Sequence, residues 1–353
     1  MDRRLKNIHA KLAREKLQGL IVTSAANISY LAKYPSRDSY LLVSKKANIY
    51  FTDSRYSEEA KKGLSADFLV RKVEVSVFSL LAQSARELGL KRIGFEERHT
   101  TFSDYRKLQQ AFKGKVKLIP TAGLVELFRQ IKSAEEIAKI RKAIAITSKA
   151  LGLAKKLIKP GATELSIVGE LERFIRRCGA SNSSFGIIVA GGPNSSFPHH
   201  TSGARKIRPN EAVLVDIGVE YQGYKSDLTR VFFLSKIKVL AHKLYAIAQG
   251  AQKQAIRHIR PGIKAKDIDA LGRHYIRESG YGEFFGHSLG HGVGLEVHED
   301  PRISPKSETI LKPGMVFTIE PGIYLPGQCG TRLEDMVLVT RKGCEVLSGA
   351  INQ

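Results

Sequence analysis

Residues 283–299, EFFGHSLGHGVGLEVHE, constrain the fold of this chain more than any other stretch. Three histidines, His287, His291 and His298, are interleaved with Gly286, Gly290, Gly292 and Gly294. A helix would bring His287 and His291 to one face at i and i+4, but each interior glycine costs about 1 kcal/mol there. The stretch is therefore expected as a loop and a bent strand, with glycines that let the backbone approach a ligand closely. One imidazole in an apolar run is an ordinary core residue, so the function of these three depends on what flanks them.

Two other stretches share an unusual feature, a carboxylate set into an apolar strand. AVLVDIGVEYQGYKSDLTRVFFL, residues 212–234, reads as two strands about a tight turn, although Asp is depleted in strands. A two-residue turn at Tyr221 and Gln222 places Asp216 directly opposite Asp227. Facing carboxylates in an apolar setting repel and are costly to desolvate, unless a cation sits between them or one is protonated or turned to solvent. MVFTIEPGIYLPGQCGTRLEDMVLVT, residues 315–340, repeats the construction: a loop centred on Gly327 sets Glu320 opposite Glu334. Two such pairs are hard to attribute to chance.

Asp216, Asp227, Glu320, Glu334 and His291 make an oxygen-rich set suited to two divalent cations that share bridging carboxylates. It favours manganese, cobalt or zinc over a closed structural zinc site, which would use cysteines. The three cysteines, Cys178, Cys329 and Cys344, are far apart and are expected to be reduced and incidental. Two such ions lower the pKa of a shared water and stabilise the oxyanion formed when it attacks a carbonyl, so the expected reaction is hydrolysis.

The remaining sequence supplies a scaffold of two domains, as the 353-residue length suggests. Residues 3–17 carry Leu5, Ile8, Leu12 and Leu17 at helical spacing; short apolar runs then alternate with one helical pattern, VFSLLAQSARELGL, which argues an α/β domain. It contains neither a phosphate loop nor a dinucleotide fingerprint. From Leu124 the texture changes to long helices: LVELFRQI, then AEEIAKIRKAIAITSKALGLAKKLI opened by a Ser133/Glu136 capping box, then ELSIVGELERFIRRCG capped by Thr163. The boundary is placed at 123/124. PGATELSIV at 160–168 is echoed by PGIKAKDID at 261–269, which suggests two similar αβ halves with a site between them. No apolar run approaches the ~20 residues of a membrane span and the N-terminus lacks a signal core, so a cytoplasmic protein is expected. The net charge of +23 is shared by both domains and leaves weak nucleic-acid contact open, with no aromatic-basic signature to support it.

In order along the chain, PHH at 198–200, VDIG at 215–218, SDLTR at 226–230, GHSLGHGVGLEVHE at 286–299, TIEPG at 318–322 and RLED at 332–335 resemble the pita-bread-fold metallopeptidases, specifically the Xaa-Pro aminopeptidase and prolidase group. The resemblance extends over the whole chain, TDSRY at 52–56 included. It implies a creatinase-like α/β domain at 1–123 and a pita-bread domain at 124–353, whose pseudo-twofold αβ halves surround a curved antiparallel sheet. Asp216, Asp227, His291, Glu320 and Glu334 would bind two metal ions, most fittingly Mn2+, with Co2+ or Zn2+ as alternatives. Glu320 would also handle the proton of the attacking water. His199 matches the family's histidine near the scissile bond, His200 a variable place beside it. His287 and His298 match histidines that hold the substrate carbonyl and stabilise the tetrahedral intermediate. Arg332 would support the metal carboxylates or a substrate carboxylate, and Phe185 and Tyr224 would wall a proline pocket. The substrate would be a peptide with proline second, and the protein a homodimer. Cleavage of X-Pro dipeptides only, as in prolidase, remains an alternative, as does a non-catalytic pita-bread protein with nucleic-acid affinity.

Overall fold

Amphipathic periodicity and capping chemistry are satisfied from the first residues of the computed structural model, which describes residues 2–235 and 239–349. Asp2 caps α1 (Arg3–Arg14), which buries Leu5, Ile8 and Leu12 as their spacing requires. There follow β1 (Gly19–Val22), α2 (Ala25–Ala32), β2 (Tyr40–Ser44), β3 (Asn48–Thr52), α3 (Ser57–Gly63), β4 (Phe68–Lys72), α4 (Val77–Glu87), β5 (Arg92–Glu96), α5 (Phe102–Phe112) and β6 (Lys117–Thr121). The six strands form one mixed sheet ordered β4-β3-β2-β1-β5-β6. Its core gathers Ile21, Leu42, Ile49, Phe51, Leu81 and Ile93.

This unit comprises residues 1–129 and the second residues 130–353, a few residues beyond the 123/124 boundary read from texture. The helix expected over LVELFRQI is only α6 (Glu126–Arg129). It belongs to the first unit because the buried Asn27 amide donates to Glu126 (3.0 Å) and Arg129 donates to the Asn27 carbonyl oxygen (2.7 Å).

In the second unit α7 (Ala134–Leu157) begins at the Ser133 capping box, and Thr163 caps α8 (Glu164–Arg177). Next come β7 (Asn182–Ser183), β8 (Ile188–Gly191), β9 (Ala212–Ile217), β10 (Val219–Tyr221), β11 (Tyr224–Lys225) and β12 (Leu228–Phe233). The second half holds α9 (Val239–His258), α10 (Ala265–Glu278), β13 (Gly290–Gly292), β14 (Glu299–Ile303), β15 (Val316–Ile319), β16 (Gly322–Leu325), β17 (Cys329–Arg332), β18 (Asp335–Val339) and β19 (Cys344–Val346). The Pro-Gly echo is a real repeat. Gly161 and Gly262 both have φ of +90°, and their N–H groups donate at 2.9 Å to Ile207 and Leu311 respectively. Ile207 and Leu311 each donate back at 2.8 Å, to Ala162 and Ile263. Each half thus starts with two helices and pins the turn between them to its own sheet region, around its own apolar core.

The two carboxylate hairpins fare differently. Glu320 and Glu334 keep the expected register: Val316 pairs with Leu338 and Gly322 with Arg332, leaving the two glutamates opposite each other where both strands break. The other hairpin is offset by two residues, because Asp216 pairs with Thr229 and Tyr221 with Tyr224. The turn lies at Gln222–Gly223, whose φ values of +49° and +81° suit a two-residue hairpin turn better than Tyr221–Gln222 would. Since side chains alternate with period two, an even offset leaves both aspartates on the face they were assigned. Between the ladders, β9 and β12 pinch together at Gly218, where a Cβ would stand 2.0 Å from the Ser226 carbonyl oxygen.

Gly218→Ala is expected to push those strands apart and destabilise the protein by about 1–3 kcal/mol. Gly169→Ala, on an exposed turn of α8 with nothing near its Cβ, should instead stabilise by up to ~1 kcal/mol. Thermal unfolding of both variants checks the pair, and the expectation fails if Gly218→Ala melts with the parent.

Candidate metal centre

Strand ends present three of the ligand candidates, and strands themselves the other two. Asp216 lies near the end of β9 and Asp227 just before β12, His291 in the short β13, Glu320 just after β15 and Glu334 just before β18. The structure gathers all five into three overlapping groups, whose donor atoms lie within 4.8 Å of one another: Asp216, Asp227 and Glu334; His291, Glu320 and Glu334; Asp227, His291 and His298. Asp216, Asp227 and Glu334 are buried. One oxygen of each, Asp216 Oδ1, Asp227 Oδ1 and Glu334 Oε1, is buried without a hydrogen-bond partner. A buried carboxylate oxygen without a donor carries a substantial desolvation penalty.

The remaining lone pairs are held firmly. Arg332 Nη2 donates to Asp216 Oδ2 (2.5 Å), Nε to Thr229 Oγ1 (3.0 Å) and Nη1 to the Tyr324 hydroxyl (2.8 Å). The Thr229 hydroxyl donates to Glu334 Oε2 (2.7 Å), and that of Thr318 to Glu320 Oε1 (3.0 Å). His291 Nδ1 sits 3.2 Å from the Gly292 carbonyl oxygen, so this nitrogen carries the hydrogen. Its Nε2 then faces Glu320 (3.1 Å) and Asp227 (3.6 Å), the arrangement of a ligating imidazole held by its other nitrogen.

Electrostatics shows what the cluster lacks. Burial, reinforced by the neighbouring carboxylates, pushes Asp227 and Glu334 well above the usual carboxylate range; burial raises Asp216 also, with Arg332 opposing. Burial works against Glu320 too, but while no cation is bound a protonated His291, its own pKa raised against burial by Glu320, donates from Nε2 and brings Glu320 down to about 2. One guanidinium and the His291 ring against four carboxylates still leave excess negative charge. Orphaned oxygens, overlapping donor groups and this charge deficit all fit divalent cations.

Beside the ligands lies a cavity of about 460 Å3 whose walls include His199, His200, His287, His298 and Phe185. His298 packs edge-on to His291 at 4.2 Å, and burial, then the His291 charge, pushes it down to about 4. His287 Nδ1 lies 2.8 Å from the Ser288 carbonyl oxygen, leaving Nε2 to accept from the Tyr324 hydroxyl at 3.1 Å. Tyr224, expected as a wall, is absent from the lining: its ring is buried and its hydroxyl donates to Glu136 (2.7 Å). Tyr324 and Arg302 line the cavity unforeseen. A signal for Tyr324 did exist, since Gly322 opposite Arg332 leaves room that its hydroxyl fills, 2.4 Å from where a Gly322 Cβ would be.

Residues 138–341 match metallopeptidase family M24, and residues 4–131 match the creatinase/prolidase N-terminal domain. The chain belongs to metallopeptidase family M24. Within this M24 chain the pita-bread and creatinase-like domains expected from the motifs are thereby established. Among curated relatives, a Bacillus subtilis protein named uncharacterized peptidase YqhT is 37% identical, over 96% of this chain and 95% of its own. Among solved structures, an Xaa-Pro dipeptidase from Bacillus anthracis is similar, with TM-score 0.95 and 36% identity over 99% and 98% of the two chains. An X-Pro aminopeptidase from Thermotoga maritima matches with TM-score 0.87 and 35% identity over 96% and 97%. A prolidase from Pyrococcus horikoshii matches with TM-score 0.92 and 32% identity over 98% of each chain. Among the described residues of the M24 chain, no helix is long and apolar enough to cross a membrane.

The raised pKa values of Asp227 and Glu334 fix the sign of a pH effect. Without metal the folded protein keeps protons that the unfolded chain has already released, so these groups cost stability increasingly as pH rises above the unfolded carboxylate range. Cations displace those protons and relieve the cost. Manganese should therefore raise the melting temperature of the metal-stripped protein more at pH 8 than at pH 5. Equal increments in scanning calorimetry would contradict this.

Proposed function

We propose that this M24 chain is an Xaa-Pro aminopeptidase, hydrolysing the peptide bond that precedes proline and releasing the N-terminal residue. The observation that carries the reading is the interlocking of three donor groups beside an imidazole-walled cavity. Asp216, Asp227, His291, Glu320 and Glu334 hold two divalent ions, with manganese preferred because four of the five ligands are carboxylates. When bound, the ions activate water and polarise the scissile carbonyl.

The chain's own groups do the rest. Glu320 accepts the proton of the attacking water through its carboxylate and passes it to the departing proline nitrogen. The new bond is carbon to water oxygen; the bond that breaks is carbon to proline nitrogen. His298, neutral above a pH of about 4, holds the carbonyl oxygen together with His199. His287 can only accept at Nε2 while Nδ1 donates to Ser288, so it acts by orienting the Tyr324 hydroxyl. This differs from the direct substrate contact that the family resemblance implies for it. Arg332 has every nitrogen engaged and supports Asp216 rather than the substrate. Phe185 offers an apolar wall to the proline ring. A homodimer, as the resemblance implies, in the cytoplasm completes the reading.

One observation favours a dipeptidase as second reading. Arg302 is exposed and lines the cavity, so it offers a cation to a free carboxylate directly after the proline. Gly-Pro and Gly-Pro-Ala, each assayed with manganese and with chelator, separate the two. Cleavage of the tripeptide supports the aminopeptidase and cleavage of Gly-Pro alone the dipeptidase. RNA binding without hydrolysis would replace both with a binding protein that uses the +23 charge.

Glu320→Gln should lower kcat about 10²–10⁴-fold, as loss of a general base does. Turnover by Glu320→Gln within tenfold of the parent would remove Glu320 from the proton path.

A further inference from the structure

The cavity wall that bears His199 and His200 belongs to residues 191–203, which contain only one short 3-10 turn, Gly192–Ser196. Such a segment needs external support to hold its imidazoles in the cavity wall. Its carbonyl at Pro198 receives Arg332 Nη1 at 3.3 Å. The other support is a side chain that takes no part in the mechanism above. Glu164, at the start of α8, has no solvent exposure. Its Oε1 accepts from the Gly191 N–H and the Asn194 amide, both at 2.9 Å. Its Oε2 accepts from His200 Nε2 at 2.8 Å and from the Gly203 N–H at 3.3 Å.

A single buried carboxylate thus binds the entry, the turn, the exit and a cavity-wall imidazole of one segment. Burying a carboxylate costs several kcal/mol even when paired, and an apolar side chain would anchor α8 as well, so its use here calls for a role other than stability. With Glu164 on Nε2, the His200 ring is fixed in orientation, while its Nδ1 makes no hydrogen bond among the described residues. His199 then lies between two anchored neighbours, Pro198 on the Arg332 side and His200 on the Glu164 side.

We infer that Glu164 is a positioning residue that, through His200, sets His199 in the cavity wall that faces the substrate; this rests on the proposed hydrolysis. Glu164→Gln keeps the volume but turns one acceptor into a donor, so two of the four donors it serves lose their partner. In the full-length, manganese-loaded protein, the expected result is a loss in kcat/KM of about 10- to 100-fold on Gly-Pro substrates, mostly in kcat, with bound metal unchanged. His200→Asn, should Glu164→Gln fail to fold, is expected to show the same loss. In a His199→Ala background the loss should shrink to about threefold or less, because the group being positioned is gone. Hydrogen exchange of the amides in residues 191–203 should quicken in Glu164→Gln. The inference is overturned by a loss of equal size in both backgrounds, or by unchanged exchange. If the parent protein cleaves no Xaa-Pro peptide, the proposed function fails, and the exchange measurement alone then supports or overturns the clamp.

Discussion

Mutual repulsion among Asp216, Asp227, Glu320 and Glu334 is the constraint around which the second unit is built. Like charges this close, three of them buried, are tolerated only with compensation, and the protein supplies just part of it through Arg332, Thr229 and Thr318. The same four side chains would be a folding liability without further positive charge and a ligand set with it. Asp216 sits one residue from the end of β9, and Asp227, Glu320 and Glu334 flank β12, β15 and β18, so the carboxylates gather at strand ends while the strand interiors stay apolar.

The helices serve that arrangement at one remove. In each half a Pro-Gly turn is pinned by paired backbone hydrogen bonds, which fixes where the second helix begins. In the first half that second helix is α8, and its first residue, Glu164, grips the cavity wall. Capping chemistry that starts a helix and chemistry that places a wall imidazole therefore meet at adjacent residues, Thr163 and Glu164. Arg332 couples the same wall to Asp216, so cavity and ligand cluster share one hydrogen-bonded support.

The ligand candidates were legible because a carboxylate in an apolar strand violates local preference, and such violations concentrate at functional sites. The Glu320–Glu334 register followed from a turn centred on Gly327, where the structure also turns. The Asp216–Asp227 register did not, because alternation is blind to an even offset and only the backbone requirement at Gln222–Gly223 sets the turn. Glu164 looks ordinary in sequence, a first-turn acid favourable to the helix dipole, and Tyr324 reads as a strand aromatic whose only signal is the glycine opposite Arg332. Their roles lie in contacts reaching 36 residues to His200 and 37 to His287. Tyr224 lies outside the cavity for the converse reason, since an aromatic next to a hairpin turn does not show in sequence that its ring turns toward Glu136.

The account's central claim is that five side chains from separate strands hold a pair of cations. It is tested most directly by metal stoichiometry. Metal-stripped protein, equilibrated with manganese and freed of excess by dialysis, should retain two equivalents per chain by plasma mass spectrometry, and Asp227→Asn no more than one. Retention of none by the parent, or of two by both proteins, would contradict it.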